Sequence, residues 1–149
     1  MEETKETQES LQRKREQALQ RLRKERTEEA LWDCVTAYQD FEFHTYSGLP
    51  YSYHMQYGRS GTYTKELWIN RREKSKSLVW SSVRSAYQKV LELHQESERP
   101  VVERPKALGD IRGITYIYGI FYEFALLEMP EKAKEKIALQ TAGQKSPGK

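Results

Sequence analysis

The spacing of apolar side chains changes along the chain and divides it into elements. Between residues 3 and 29, Leu11, Ala18, Leu19 and Leu22 form a thin stripe among charged residues, with no Gly or Pro. Glu9/Arg13 and Gln17/Arg21 stand at helical i,i+4 spacing, so the segment predicts a charged helix. Because the stripe stops before Arg23, the helix reads as a solvated extension, with a helix pairing or a partner-docking stripe as the other reading. From Ala30 the density rises. Ala30, Leu31, Cys34, Val35, Tyr38 and Phe41 recur at three and four, which predicts a core helix. Thr27 is its expected cap, Glu28 and Glu29 oppose the helix dipole, and the helix should end before Gly48-Leu49-Pro50.

Residues 51–70 switch to a period of two. Tyr51, Tyr53, Met55 and Tyr57 alternate with Ser52, His54 and Gln56; Tyr63, Leu67 and Ile69 alternate with Thr64, Glu66 and Trp68. A two-stranded hairpin turning in Gly58-Arg59-Ser60-Gly61 follows. An even loop would place Tyr53 opposite Glu66 and mix the faces. An odd loop with a left-handed Gly keeps one apolar face and pairs Tyr53 with Leu67 or Lys65. Helical spacing returns from Ser75 or Ser77 to about His94, with Val79, Val83, Ala86, Tyr87, Val90 and Leu91 inward and Ser77 as the expected cap. Residues 95–113 read as an irregular connection. Thr115 to about Leu127 is apolar around most of its circumference, which predicts a central buried helix; a strand pair is the rival, and length favours the helix. Pro130 ends it, and residues 131–149 read as a basic, frayed tail. The fold class is therefore α+β, with residues 1–29 as a helical extension, 30–129 as the globular domain and 130–149 as the tail.

Composition narrows this picture. The chain has 149 residues, 37% hydrophobic, a mean hydropathy of −0.90 and a sequence pI near 8.9. Its single cysteine, Cys34, excludes an intramolecular disulfide and fits a reducing compartment. No apolar run reaches the roughly 18 residues of a membrane span, and the acidic N-terminus does not resemble a signal peptide, so a cytoplasmic protein with no membrane partner is expected.

The charge layout points to chemistry. Leu31 to Tyr57 holds three acids and no Lys or Arg, whereas Gly58 to Val90 holds eight bases against Glu66 and Glu73. Arg59, Lys65, Arg71, Arg72, Lys74, Lys76, Arg84 and Lys89 are interleaved with Tyr63, Trp68, Trp80 and Tyr87, which suits phosphate and unstacked bases as well as an ordinary solvated face. Arg71, Arg72, Lys74 and Lys76 fall where the second strand should give way to a helix. Ser81, Arg84, Ser85 and Gln88 then offer a polar helix face able to reach phosphates and base edges. Gly109-Asp110-Ile111-Arg112-Gly113 lacks the spacing of a phosphate loop and reads as a turn into a helix, whose free amides stand near Lys106 and Arg112.

Other chemistry is thinly supported. His44, His54 and His94 show no metal-ligand spacing, and Cys34 lies on an apolar stripe, so neither a metal nor a cofactor is expected. His44 or His54 with Glu42 or Glu66 is a remote catalytic reading without a geometry.

Two segments, KSKSLVWSSVRSAYQKVLEL at 74–93 and RPKALGDIRGITYIYGIF at 104–121, resemble small uncharacterised proteins of Gram-positive bacteria and their mobile elements. The likeness covers about residues 31–129 and carries no functional residue over. It implies a setting in which regulators and inhibitors of host defence, such as anti-CRISPR proteins, are common. The expectation is a non-enzymatic binder of nucleic acid or of a nucleic-acid-handling protein complex. The alternative is a protein–protein adaptor acting through the charged N-terminal helix, by which the chain could also self-associate.

Overall fold

The computed structural model describes residues 2–70 and 76–145, with side chains described for 8–70 and 77–139. These residues form five α-helices and a four-stranded antiparallel sheet in an α+β arrangement. The chain divides into two compact units, Met1–Asp40 and Phe41–Lys149. The first therefore includes the helix that the apolar pattern assigned to the globular domain.

In the first unit, α1 (Glu2–Glu25) and α2 (Glu28–Ala37) form an antiparallel helix pair. Arg26 takes a positive φ of 54°, which breaks the continuous helix expected to residue 29. Thr27 then caps α2 as its sequence position suggests, its Oγ1 accepting from the Ala30 amide at 3.1 Å. The thin stripe is partly structural: Leu22 is fully buried, Ala18 and Leu19 are half-buried, and Leu11 is 40% exposed. At the other end of α2, the Arg15 guanidinium donates to Ala37 O at 2.9 Å and Gln39 O at 2.8 Å and lies over the Tyr38 ring. A cation there satisfies the last carbonyls and opposes the negative end of the dipole. The helix stops at Ala37, so Phe41 is not on it. Arg21 bridges Glu25 at 3.2 Å and also Asp33.

The second unit opens with a sheet in chain order: β1 (Phe43–His44), β2 (Pro50–His54), β3 (Glu66–Asn70) and β4 (Lys76–Val79). The expected hairpin is thus the middle of a larger sheet. β1 is too short to show alternation. β4 was hidden in the predicted helix: Ser77 is not a cap but a strand residue opposite Trp68, while Leu78 faces Leu67 and is buried. Pairing with β3 satisfies the backbone and buries Leu78, which local helical spacing did not show.

The hairpin loop is odd, as expected. Tyr57 pairs with Tyr63, and Gly61 has φ 84°. Tyr53, however, faces Ile69 in place of Leu67 or Lys65. The register advances by two residues between these pairs, and a shift of two preserves the face, so Tyr51, Tyr53, Met55, Leu67 and Ile69 are all buried.

Three further helices cover this core: α3 (Trp80–Leu93), α4 (Ile114–Glu123) and α5 (Glu131–Lys145), with a short 3-10 helix at Pro105–Leu108. Phe43 stacks on Tyr51 and Tyr53 at 5.8 and 5.5 Å and meets Phe124 edge-on, while Tyr87 of α3 meets Phe121 of α4. α4 ends sooner than predicted, because Ala125 turns left-handed (φ 62°) and lets Phe124, Leu126, Leu127 and Met129 all stay buried. Glu128 then pairs with Val101, and Tyr118 Oη donates to Val102 O at 2.5 Å. The tail expected to fray is helical through Lys145, anchored by buried Ala133 and by Lys134 beside Glu128 and Glu131.

Candidate functional site

The basic residues singled out by the sequence lie on several elements, and four of them fall wholly or partly outside the described residues. Arg71, Arg72 and Lys74 lie outside the described residues, as does the side chain of Lys76, whose backbone begins β4. The segment holding them precedes a strand, not the helix expected there. Arg84, Gln88 and Lys89 are exposed on α3 together with Ser81 and Ser85, and Lys89 stands 3.8 Å from Glu92. Lys65 lies over the Trp80 ring at 5.7 Å, Arg59 is exposed in the hairpin loop, and Lys106 is exposed on the 3-10 helix. Among the described members of this set, Arg112 lines a cavity.

That cavity encloses about 740 Å³, within the range of small-molecule sites. One wall is sheet: Trp68 of β3 with Ser77, Leu78 and Val79 of β4. A second is the start of α3 at Ser82. The third is the start of α4, Arg112 through Tyr116. The connection before α4 folds this way because Gly113 takes φ 81° and packs on β4; a β-carbon there would collide with Leu78 Cδ2.

Two helix N-termini thus open on one cleft, and neither is capped. Val79 and Gly113 stand at the cap positions of α3 and α4, without a side-chain cap and without an acid in the first turn. The first amides of a helix have no acceptor in their own helix. Here Trp80 N reaches Lys65 O at 2.9 Å, Ile114 N reaches Ile111 O and Tyr116 N reaches Gly113 O. The Ser81, Ser82 and Thr115 amides have no acceptor among the described residues. Among the described residues no carboxylate lines the cleft and Arg112 does, an arrangement that favours an anion. Trp68 and Tyr116 add aromatic rings, and the Trp68 indole N–H is buried without an acceptor among the described residues.

Among the described residues the lining hydroxyls of Ser77, Ser82 and Thr115 have no lining His, Lys, Asp or Glu to activate them. Elsewhere, His44 Nε2 lies 3.5 Å from Glu42 Oε2, His54 bonds Asn70 at 3.0 Å and His94 bonds Leu126 O at 2.8 Å. Among the described residues no three His, Cys, Asp or Glu side chains are grouped to hold a metal. Burial pushes the Cys34 thiol up to about 12, so it is held as the unreactive neutral form. Among the described residues no helix is long and apolar enough to cross a membrane.

Sequence reasoning singled out Arg112 with the helix start behind it, and Trp68 as an aromatic of the basic stretch. It did not single out Ser82 as a cleft residue or Tyr116, and nothing in the local spacing brings the four together. Comparison with family models, with curated proteins and with solved structures finds no match.

Proposed function

We propose that the protein is a non-enzymatic binder of nucleic acid, alone or within a nucleoprotein complex, and that the cleft between α3 and α4 receives the phosphate chain. The observation that carries this reading is the pair of uncapped helix N-termini facing one cavity beside Arg112, with no acid among its described lining residues. Free amides, an arginine and serine hydroxyls are the donors that proteins use on phosphate oxygens. Trp68 and Tyr116 offer planar rings to an unpaired base, which favours single strands over duplex. The exposed Arg84, Gln88 and Lys89 continue a polar surface along α3 from the cleft edge at Ser82. A regulator or inhibitor carried by a mobile element, the setting implied by the resemblance above, would need such a surface.

The test is a titration of labelled single strand and duplex over a range of salt. Arg112→Ala should weaken binding and flatten its salt dependence. No binding of wild-type protein to either form at about 50 mM salt would overturn the reading.

A second reading, an adaptor acting through α1, rests on one observation. α2 has ten residues against twenty-four in α1, about 15 Å against 36 Å of helix. Arg15 already reaches the end of α2, so the first half of α1 projects beyond its partner helix, with residues 8–14 all exposed. Capture of a protein partner that is lost on removing residues 2–12, with no binding of nucleic acid, would favour it.

A further inference from the structure

The tip of the β2–β3 hairpin carries a second feature, separate from the cleft. Tyr57 and Tyr63 face each other across the strands with ring centroids 4.5 Å apart and planes within 18°. Tyr57 is 68% exposed, so one face of its ring is covered by Tyr63 and the other is open to water. The frame beneath is well bonded. Gly58 N donates to Thr62 O at 2.7 Å, Thr64 N to Gln56 O at 2.9 Å, and Tyr57 Oη to Tyr63 Oη at 3.4 Å.

An open tyrosine face on a fixed frame can take a planar partner by stacking. Its flanks are polar: Ser60 and Thr62 hydroxyls lie 3.1 Å apart, and Arg59 stands in the loop. From Gln56 to Lys65 the chain has two cations and no acid. Polar flanks and a cation disfavour an apolar protein pocket as the partner, whereas a nucleobase brings its own phosphate to meet Arg59.

We infer that the Tyr57–Tyr63 pair is a stacking platform for an unpaired nucleobase of a single-stranded nucleic acid. This inference rests on the nucleic-acid reading above and assigns it a second contact. The base extends the stack on the open face of Tyr57, and a flanking phosphate lies against Arg59.

The experiment uses the full chain and a short single-stranded oligonucleotide with 2-aminopurine at one position, whose fluorescence falls when it stacks. Wild-type protein should quench it. Tyr57→Phe keeps the ring and should bind as wild type. Tyr57→Leu keeps apolar bulk but not the plane, and should bind about 5- to 100-fold more weakly with an unchanged salt slope. Thermal melting checks each fold, and quenching by wild-type protein provides a readout independent of the variants. Wild-type binding with equal affinity for Tyr57→Leu overturns the platform and leaves the cleft standing. Loss with Tyr57→Leu but none with Arg112→Ala sustains the platform and removes the cleft. No wild-type binding overturns both.

Discussion

The start of α2 and the starts of α3 and α4 are built to opposite rules. α2 begins with Thr27 accepting from the Ala30 amide and with Glu28 and Glu29 in its first turn, so its positive end is answered within the chain. α3 and α4 have Val79 and Gly113 at their cap positions, which offer no side-chain oxygen, and their first turns hold no acid. The same chain that can cap a helix leaves two uncapped where they share a cleft with Arg112. Unanswered helix ends at a cavity carry a standing preference for an anion from outside.

The comparison breaks most severely at Gly113. Gly113→Ala must place a side chain at φ 81° and against Leu78 Cδ2, and should cost about 2–4 kcal/mol in denaturant unfolding while displacing the wall of the cleft. An unfolding free energy within about 0.5 kcal/mol of wild type would show that α4 does not press on β4 as described. Thr27→Ala should cost less, about 1 kcal/mol, and should leave binding at the cleft unchanged, because the cap of α2 serves only the fold. Val79→Ser supplies α3 with the oxygen it lacks. It should alter stability by less than about 1 kcal/mol yet weaken anion binding, since the Ser81 and Ser82 amides would have an acceptor within the chain. Unchanged binding in this variant would mean that the start of α3 takes no part.

What could be read from the sequence follows the range of the forces involved. Thr27 was legible because a cap and its amide are three residues apart. The odd hairpin loop was legible because face parity constrains it within twenty residues, although the two-residue advance that brings Tyr53 opposite Ile69 was not. β4 was illegible for the opposite reason. Ser77 before an apolar helical stripe satisfies every local rule for a cap, and only Leu67 across the sheet draws Leu78 and its neighbours into a strand. β1 has two residues, too few for any period, and α5 is anchored by one small side chain, Ala133, in a polar segment. The cleft follows the same logic. Arg112 stands beside a helix start in the sequence itself, but Trp68, Ser82 and Tyr116 meet it only because β4 lies between β3 and α3. Of the basic run, Arg59 stands at the hairpin tip, Lys65 over Trp80 and Arg84 on α3, while Arg71, Arg72, Lys74 and the Lys76 side chain lie outside the described residues.

The salt dependence of single-strand binding tests the central claim most directly. Wild-type protein and Arg112→Ala are titrated with one labelled single strand from about 50 to 200 mM salt, and log affinity is plotted against log salt. Loss of one phosphate contact should lower the magnitude of the slope by about 0.7, with little change in melting temperature for an exposed side chain. Equal slopes and equal affinities for the two proteins would contradict the assignment of phosphate to the cleft.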